Sequence, residues 1–353
     1  MAPSNRIAGR GATNPYTRFR QRNLGPDLII DFHSHFYPKA YLDELKESRG
    51  HASLETDPKG QLLLNYAGDY NVVVGGHVNL EDRLKAMARC GVDMQVITLT
   101  TPGVEREAPE LGIRLARLIN DAFGDIMERF PDKFVALATL PMQDPEAATD
   151  ELERAVKERG LRGAIIFSNV AGRLIDGREF VPVYEKAVKL DVPIFIHPTS
   201  PINTRGMEDY RLIPIMGFGV DTSLAILRLV FSGLMERLPD LKLVAAHTGG
   251  VFPYLRGRIE AAYRAYPETK MYISKPPSEY FKRIWLDTVC YDSDVLTSSL
   301  AFWGPAKIVM GSDYPHQIGD LETCVGRVRR LEIDGSQKEA ILGGNAAELL
   351  KLQ

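Results

Sequence analysis

From Leu28 to the C-terminus, short apolar runs alternate with longer segments of helical period, and no other feature constrains the fold as much. The runs cover residues 28–33, 94–98, 134–139, 163–167, 192–197, 241–246, 283–287 and 307–311. Most are nearly continuous in apolar residues, as strands are when both faces of a parallel sheet are covered. Between them, amphipathic segments 81–90, 111–130, 145–159 and 222–238 end at Gly91, Pro131, Gly160 and Pro239, residue types that stop helices. Eight strand–helix units predict an α/β fold, the TIM-type (β/α)8 barrel. A doubly wound open sheet is the alternative, but no GxGxxG follows the first strand, so dinucleotide binding has no support.

The 353 residues suit one barrel with insertions, so 27–353 is read as a single domain. Residues 1–26 carry five arginines and no acid before Asp27, while prolines and glycines interrupt any amphipathic helix. They read as a flexible N-terminal arm, not a transit or signal peptide. The strand–helix spacing breaks at 36–79, 198–220 and 266–282. The first break is read as an insertion containing a small hairpin, 61–66 and 71–74. Such long loops are usually lids or binding walls. A net charge of −3 gives no indication of a nucleic-acid or membrane partner, and no apolar run approaches the roughly 18 residues of a span. Cys90, Cys290 and Cys324 form no paired motif and read as reduced thiols of a cytoplasmic protein.

Residue types that bind metals fall at strand ends. His33 and His35 close the first strand two residues apart, which places both on one side. His197 ends the fifth strand, His247 ends the sixth and Asp313 follows the eighth. A barrel gathers these ends on one face, where its active site lies. Taken singly, each has a plainer reading: a hydrogen-bonded structural histidine, or a helix-capping aspartate. Together they point to one divalent ion per chain, zinc above all, with manganese or iron as alternatives. Three histidines and Asp313 complete a tetrahedral set, so His247 is assigned to proton transfer. His51 and His77 are expected on the surface or a lid, and His316 in a structural role beside the ligands. Phe36, Tyr37, Phe218 and Trp303 are the aromatics that could wall a planar substrate, although packing is the commoner use.

The motifs DFHSHFYP (31–38), RLKAMARCGVDMQV (83–96), PIFIHP (193–198), AHTGGVFPYLRGRIEAAY (246–263), PPSEYFKRIWLDT (276–288) and GSDYP (311–315) resemble the amidohydrolase superfamily. Within it they resemble the decarboxylase branch that includes α-amino-β-carboxymuconate-ε-semialdehyde decarboxylase. The resemblance implies that His33, His35, His197 and Asp313 hold the metal, with His247 and Asp313 catalytic. It also implies that Arg258 grips a substrate carboxylate, in some members across a dimer interface. The implied reaction is non-oxidative decarboxylation of an aromatic or enoic carboxylic acid by a homodimer or higher homo-oligomer. The rival reading is a hydrolase or hydratase using a metal-bound hydroxide. One departure stands out: residues 70–74 offer no second substrate arginine, and Arg83 lies too far along. The fourth strand ends without the lysine that two-metal hydrolases of the superfamily often carry, which favours one metal.

Overall fold

The computed structural model describes residues 27–47 and 50–352. The expected arm at 1–26 lies outside them. All eight expected strands form: β1 (Ile30–His35), β2 (Met94–Thr98), β3 (Phe134–Ala136, resuming at Ala138–Thr139), β4 (Ala164–Phe167), β5 (Ile194–His197), β6 (Leu243–Ala245), β7 (Trp285–Asp287) and β8 (Ile308–Val309). Each consecutive pair from β1 to β8 is parallel. At the seam between β8 and β1, Phe32 N–H donates to Met310 O (2.8 Å) and His35 N–H to Tyr314 O (2.8 Å). The fold is the TIM barrel.

Alternation along the strands separates two cores. Ile30, Phe32, Val96, Phe195, Val244 and Val309 belong to a cluster that also takes in Leu349, Leu350 and Leu352 from the end of the chain. Their neighbours Ile97, Ala136, Ile166, Ile196 and Leu286 pack in the larger cluster with residues of the surrounding helices. Burying one such side chain contributes roughly 1.5–3 kcal/mol against the entropy of ordering it. The strands therefore stay rigid, and their C-terminal ends are fixed points for a site.

Two expectations need correction. The segment 222–238 is not one helix: Phe218–Phe231 and Leu234–Arg237 are separated at Gly233. Gly233 has φ +72, and a Cβ there would meet Tyr272 O at 2.3 Å. The hairpin gains a strand, because Ser53–Thr56 pairs antiparallel with Leu62–Tyr66, which pairs with Asp69–Val73 across the turn Ala67-Gly68. In addition, Ile213–Phe231 is long and apolar enough by length and composition to cross a membrane, although the sequence showed no such run. It carries Asp221 and Arg228, and half of its most apolar stretch is buried in this fold, as befits a core helix.

Candidate metal centre and active site

Ile30 and Phe32 face the barrel interior, so strict alternation would turn His33 outward. It does not, because the register with β2 slips: Asp31 pairs with Gln95, and Ser34 with Ile97. This extra residue is a bulge, a device that re-aims side chains near barrel rims. Both histidines then point inward, with their Nε2 atoms 3.0 Å apart. The end of β1 is held by Arg83, which is fully buried. Its guanidinium donates to Ser34 Oγ (3.1 Å), Gln95 Oε1 (2.8 Å), Gly76 O (3.0 Å) and His35 O.

The remaining groups converge on the same point. Asp313 Oδ1 lies 3.1 Å from His35 Nε2 and 3.3 Å from His33 Nε2, and its Oδ2 is 3.5 Å from His247 Nε2. Ligand atoms of His33, His197, His247 and Asp313 all lie within 4.8 Å of one another, as do those of His35, Asp313 and His316. His247 and Thr248 both have φ near +53, a strained conformation for residues with a Cβ. The turn passes on through Gly250, where a Cβ would meet Gly219 O at 2.2 Å.

The hydrogen bonds at Nδ1 turn three Nε2 atoms toward that point. Thr98 donates its hydroxyl to Ser34 O (3.1 Å), so its oxygen accepts the Nδ1 proton of His35 (2.9 Å). Pro198 O accepts from His197 Nδ1 (2.8 Å), and Asp287 Oδ2 from His33 Nδ1 (2.6 Å). The Nε2 atoms of His35 and His197 are therefore unprotonated and aimed inward, and that of His33 becomes a free lone pair once its second proton leaves. His197 Nε2 is buried with no hydrogen-bond partner. An orphaned buried acceptor of this kind costs about 1–3 kcal/mol unless a ligand takes it. Burial holds His35 and His197 well below the usual imidazole value, so both are neutral donors. Burial also opposes charge on His33, but hydrogen bonds to Asp287 and Asp313 outweigh it and raise His33 to about 10. Burial would raise Asp313, yet hydrogen bonds from His247 and His33 and the charge on His33 hold it well below the carboxylate range. Imidazole nitrogens around a carboxylate, in a pocket that favours positive charge, fit a divalent metal ion.

Above the cluster opens a cavity of about 830 Å3, a size that suits a small organic ligand. His197, His247, Asp313 and His316 form its floor, and Phe218, Ile215 and Tyr291 are among its walls.

The amidohydrolase family profile matches residues 30–352. The chain belongs to the amidohydrolase family. It is 33% identical over 332 residues to 2-amino-3-carboxymuconate-6-semialdehyde decarboxylase of Dictyostelium discoideum, covering 92% of both chains. Among solved structures it resembles 5-carboxyvanillate decarboxylase from Sphingomonas paucimobilis, with TM-score 0.82, 27% identity, and 93% and 100% of the two chains covered. It also shares the fold of a dihydroxybenzoic acid decarboxylase from Polaromonas sp. JS666, solved with manganese and 2-nitroresorcinol. That match has TM-score 0.75 and 24% identity and covers 92% of this chain and 97% of the other.

In this amidohydrolase the five residues predicted at strand ends come together, and His316 joins them. His316 bonds Thr100 Oγ1 at 3.1 Å, with its ring centroid 5.0 Å from that of His35. His77 was expected on the surface or a lid but is fully buried, stacked on Tyr37 at 5.1 Å. Of the four aromatics considered, Phe218 lines the cavity. Phe36, Tyr37 and Trp303 belong to the core. Arg258 is exposed on helix Phe252–Ala265 and is not among the described residues of this chain's cavity wall. The end of β4 is tied up elsewhere: Ser168 Oγ and Asn169 Nδ2 both donate to Asp221 Oδ2, at 2.5 and 2.8 Å. Two residues escaped the sequence reading. Asp287 ends β7 in phase with inward-facing Trp285, a period-two signal that could have found it. Arg211 lies in the 198–220 break and lines the cavity, and no local pattern marks it.

Proposed function

We propose that this amidohydrolase is a metal-dependent, non-oxidative decarboxylase of an aromatic or enoic carboxylic acid. The observation that carries the reading is the inward convergence of His33, His35 and His197 on Asp313 beneath a substrate-sized cavity. The relatives' reactions supply the reaction class. His33, His35, His197 and Asp313 hold one ion per chain. One ion is favoured because the two possible clusters share Asp313. Zinc suits this donor set, and manganese, seen in a structural neighbour, is the second choice. A metal held there would supply the Lewis acidity that polarises a substrate oxygen.

The chain's residues do the rest. Decarboxylation breaks the bond between the ring or enoic carbon and CO2, leaves the electron pair on that carbon, and forms a C–H bond there. His247 is half-buried beside Asp313 and open to the cavity, so it is positioned to move the required proton. Asp313 is the acceptor through which that proton is held near the reacting carbon. Arg258 binds a substrate carboxylate in the neighbouring subunit of a homodimer. Supporting this, Tyr254 on the Arg258 helix and Ile215 and Met216 on the preceding segment are exposed. These segments adjoin where Val251 N–H donates to Gly219 O (3.4 Å). Three free thiols accord with a cytoplasmic location.

Hydrolysis or hydration is the second reading, since the same ligand set supports either reaction. Turnover in D2O separates the two. Decarboxylation places one deuterium on the carbon that carried the carboxylate and releases CO2. Product that keeps every carbon and carries 18O from labelled water would establish hydrolysis or hydration instead.

A further inference from the structure

Arg211 is the single lysine or arginine among the described residues that line the cavity. The other two arginines considered for substrate do not reach it from within this chain. Arg83 is fully buried and its donors are spent on the end of β1, while Arg258 is exposed outside the wall. Arg211 sits on the 198–220 insertion and faces the hairpin of the first insertion. Its guanidinium lies 4.0 Å from the Tyr70 ring centroid, Nη2 donates to Tyr70 O (3.1 Å), and Nη1 is 2.8 Å from Asp69 Oδ1. Tyr210 and Arg211 both have φ +58, so the chain adopts an unfavourable turn to aim this side chain.

These contacts leave donors over. A guanidinium has five N–H groups in a planar fork that matches a carboxylate. Nη2 donates to Tyr70 O, Nη1 is buried beside Asp69 without a hydrogen bond, and the side chain is still 38% exposed. Stacking on Tyr70 and pairing with Asp69 fix the plane of the fork and bury Nη1, while the rest of the side chain stays exposed, as a preorganised anion site requires.

We propose that Arg211 is a specificity residue that binds a second carboxylate of the substrate, distinct from the one lost as CO2. This rests on the decarboxylase reading for its reaction, but the anion site can be tested without turnover. The cavity therefore favours a dicarboxylic acid, one carboxylate directed to the metal ligands and the other to Arg211.

The test is equilibrium binding of isophthalate and of benzoate to metal-loaded protein, for wild type, Arg211→Gln and Asp69→Asn. Wild type should bind isophthalate about 10-fold more tightly than benzoate, the order expected of one charge-assisted contact. Arg211→Gln should lose that preference with benzoate binding unchanged. Asp69→Asn separates a ligand role from a structural one: it breaks the clamp but leaves Arg211, so the preference should persist or grow. Wild type without a preference, a preference that survives Arg211→Gln, or its loss in both variants alike would overturn the proposal. Decarboxylation of 4-hydroxyisophthalate and salicylate is assayed in parallel. Binding that follows Arg211 when neither acid releases CO2 upholds the anion site and counts against the decarboxylase reading. CO2 release with no binding preference does the reverse.

Discussion

His33 Nδ1 lies 2.6 Å from Asp287 Oδ2, with both side chains fully buried. Asp287 also accepts from the backbone N–H groups of His247 (2.9 Å), Thr248 (2.8 Å) and Val289 (3.0 Å). One carboxylate thus fixes the tautomer of a proposed ligand and the turn that carries the proposed proton donor. Partners of this kind typically change metal affinity or activity by about 10–100-fold when removed. Asp287→Asn should release metal to a competing chelator at correspondingly lower concentration. Retention equal to wild type would show that Asp287 serves the turn alone.

Metal content and turnover should respond differently to His247. Elemental analysis is expected to find about one divalent ion per chain, since one four-donor set completes one site. His247→Asn should keep that ion and lose about 10²-fold or more in kcat, the usual weight of a general acid–base group. A variant that loses metal and recovers activity on reconstitution would make His247 a ligand.

Arg258 is exposed in the single chain, so its effect tests the assembly. Arg258→Lys keeps the charge but loses the bidentate fork and should lower kcat/KM. Inactive Arg258→Ala and His247→Asn chains should regain partial activity when mixed, through sites built from one intact residue of each. No recovery in mixtures shown to exchange subunits would place Arg258 outside the partner's site.

Glu105 supplies a pH test at a group outside the proposed ligand set. Burial pushes its carboxyl from 4.5 up to about 8, although backbone N–H groups, Val104 N–H among them at 2.8 Å, pull the other way. A folded-state value above the unfolded one means stability that is full below about pH 4.5 and is lost as pH rises through about 8. Glu105→Gln cannot ionise, so its Tm relative to wild type should climb steadily between those limits. A constant Tm difference from pH 5 to 9 would rule out the raised carboxyl.

The strands of the barrel were legible because hydrophobic period is local: β2 runs over the residues expected, and the others differ by a few at their ends. His197 and Asp313 were legible for the same reason, standing where apolar runs stop. Some local geometry was not. The need for glycine at the break, Gly233, involves Tyr272 O, 39 residues away, and the inward turn of His33 depends on a bulge against β2.

The sequence by itself determined the fold class and the metal-binding residue types, since both follow from spacing along one chain. Only the tertiary structure decided which atoms meet. Asp287 becomes a partner of His33 across 254 residues. His77 becomes a core residue because Tyr37 covers it. Arg211 becomes a cavity cation because the second insertion folds over Asp69 and Tyr70 of the first. Insertions carry no period that ties them to the barrel, so their contacts depend on long-range packing, which spacing does not encode.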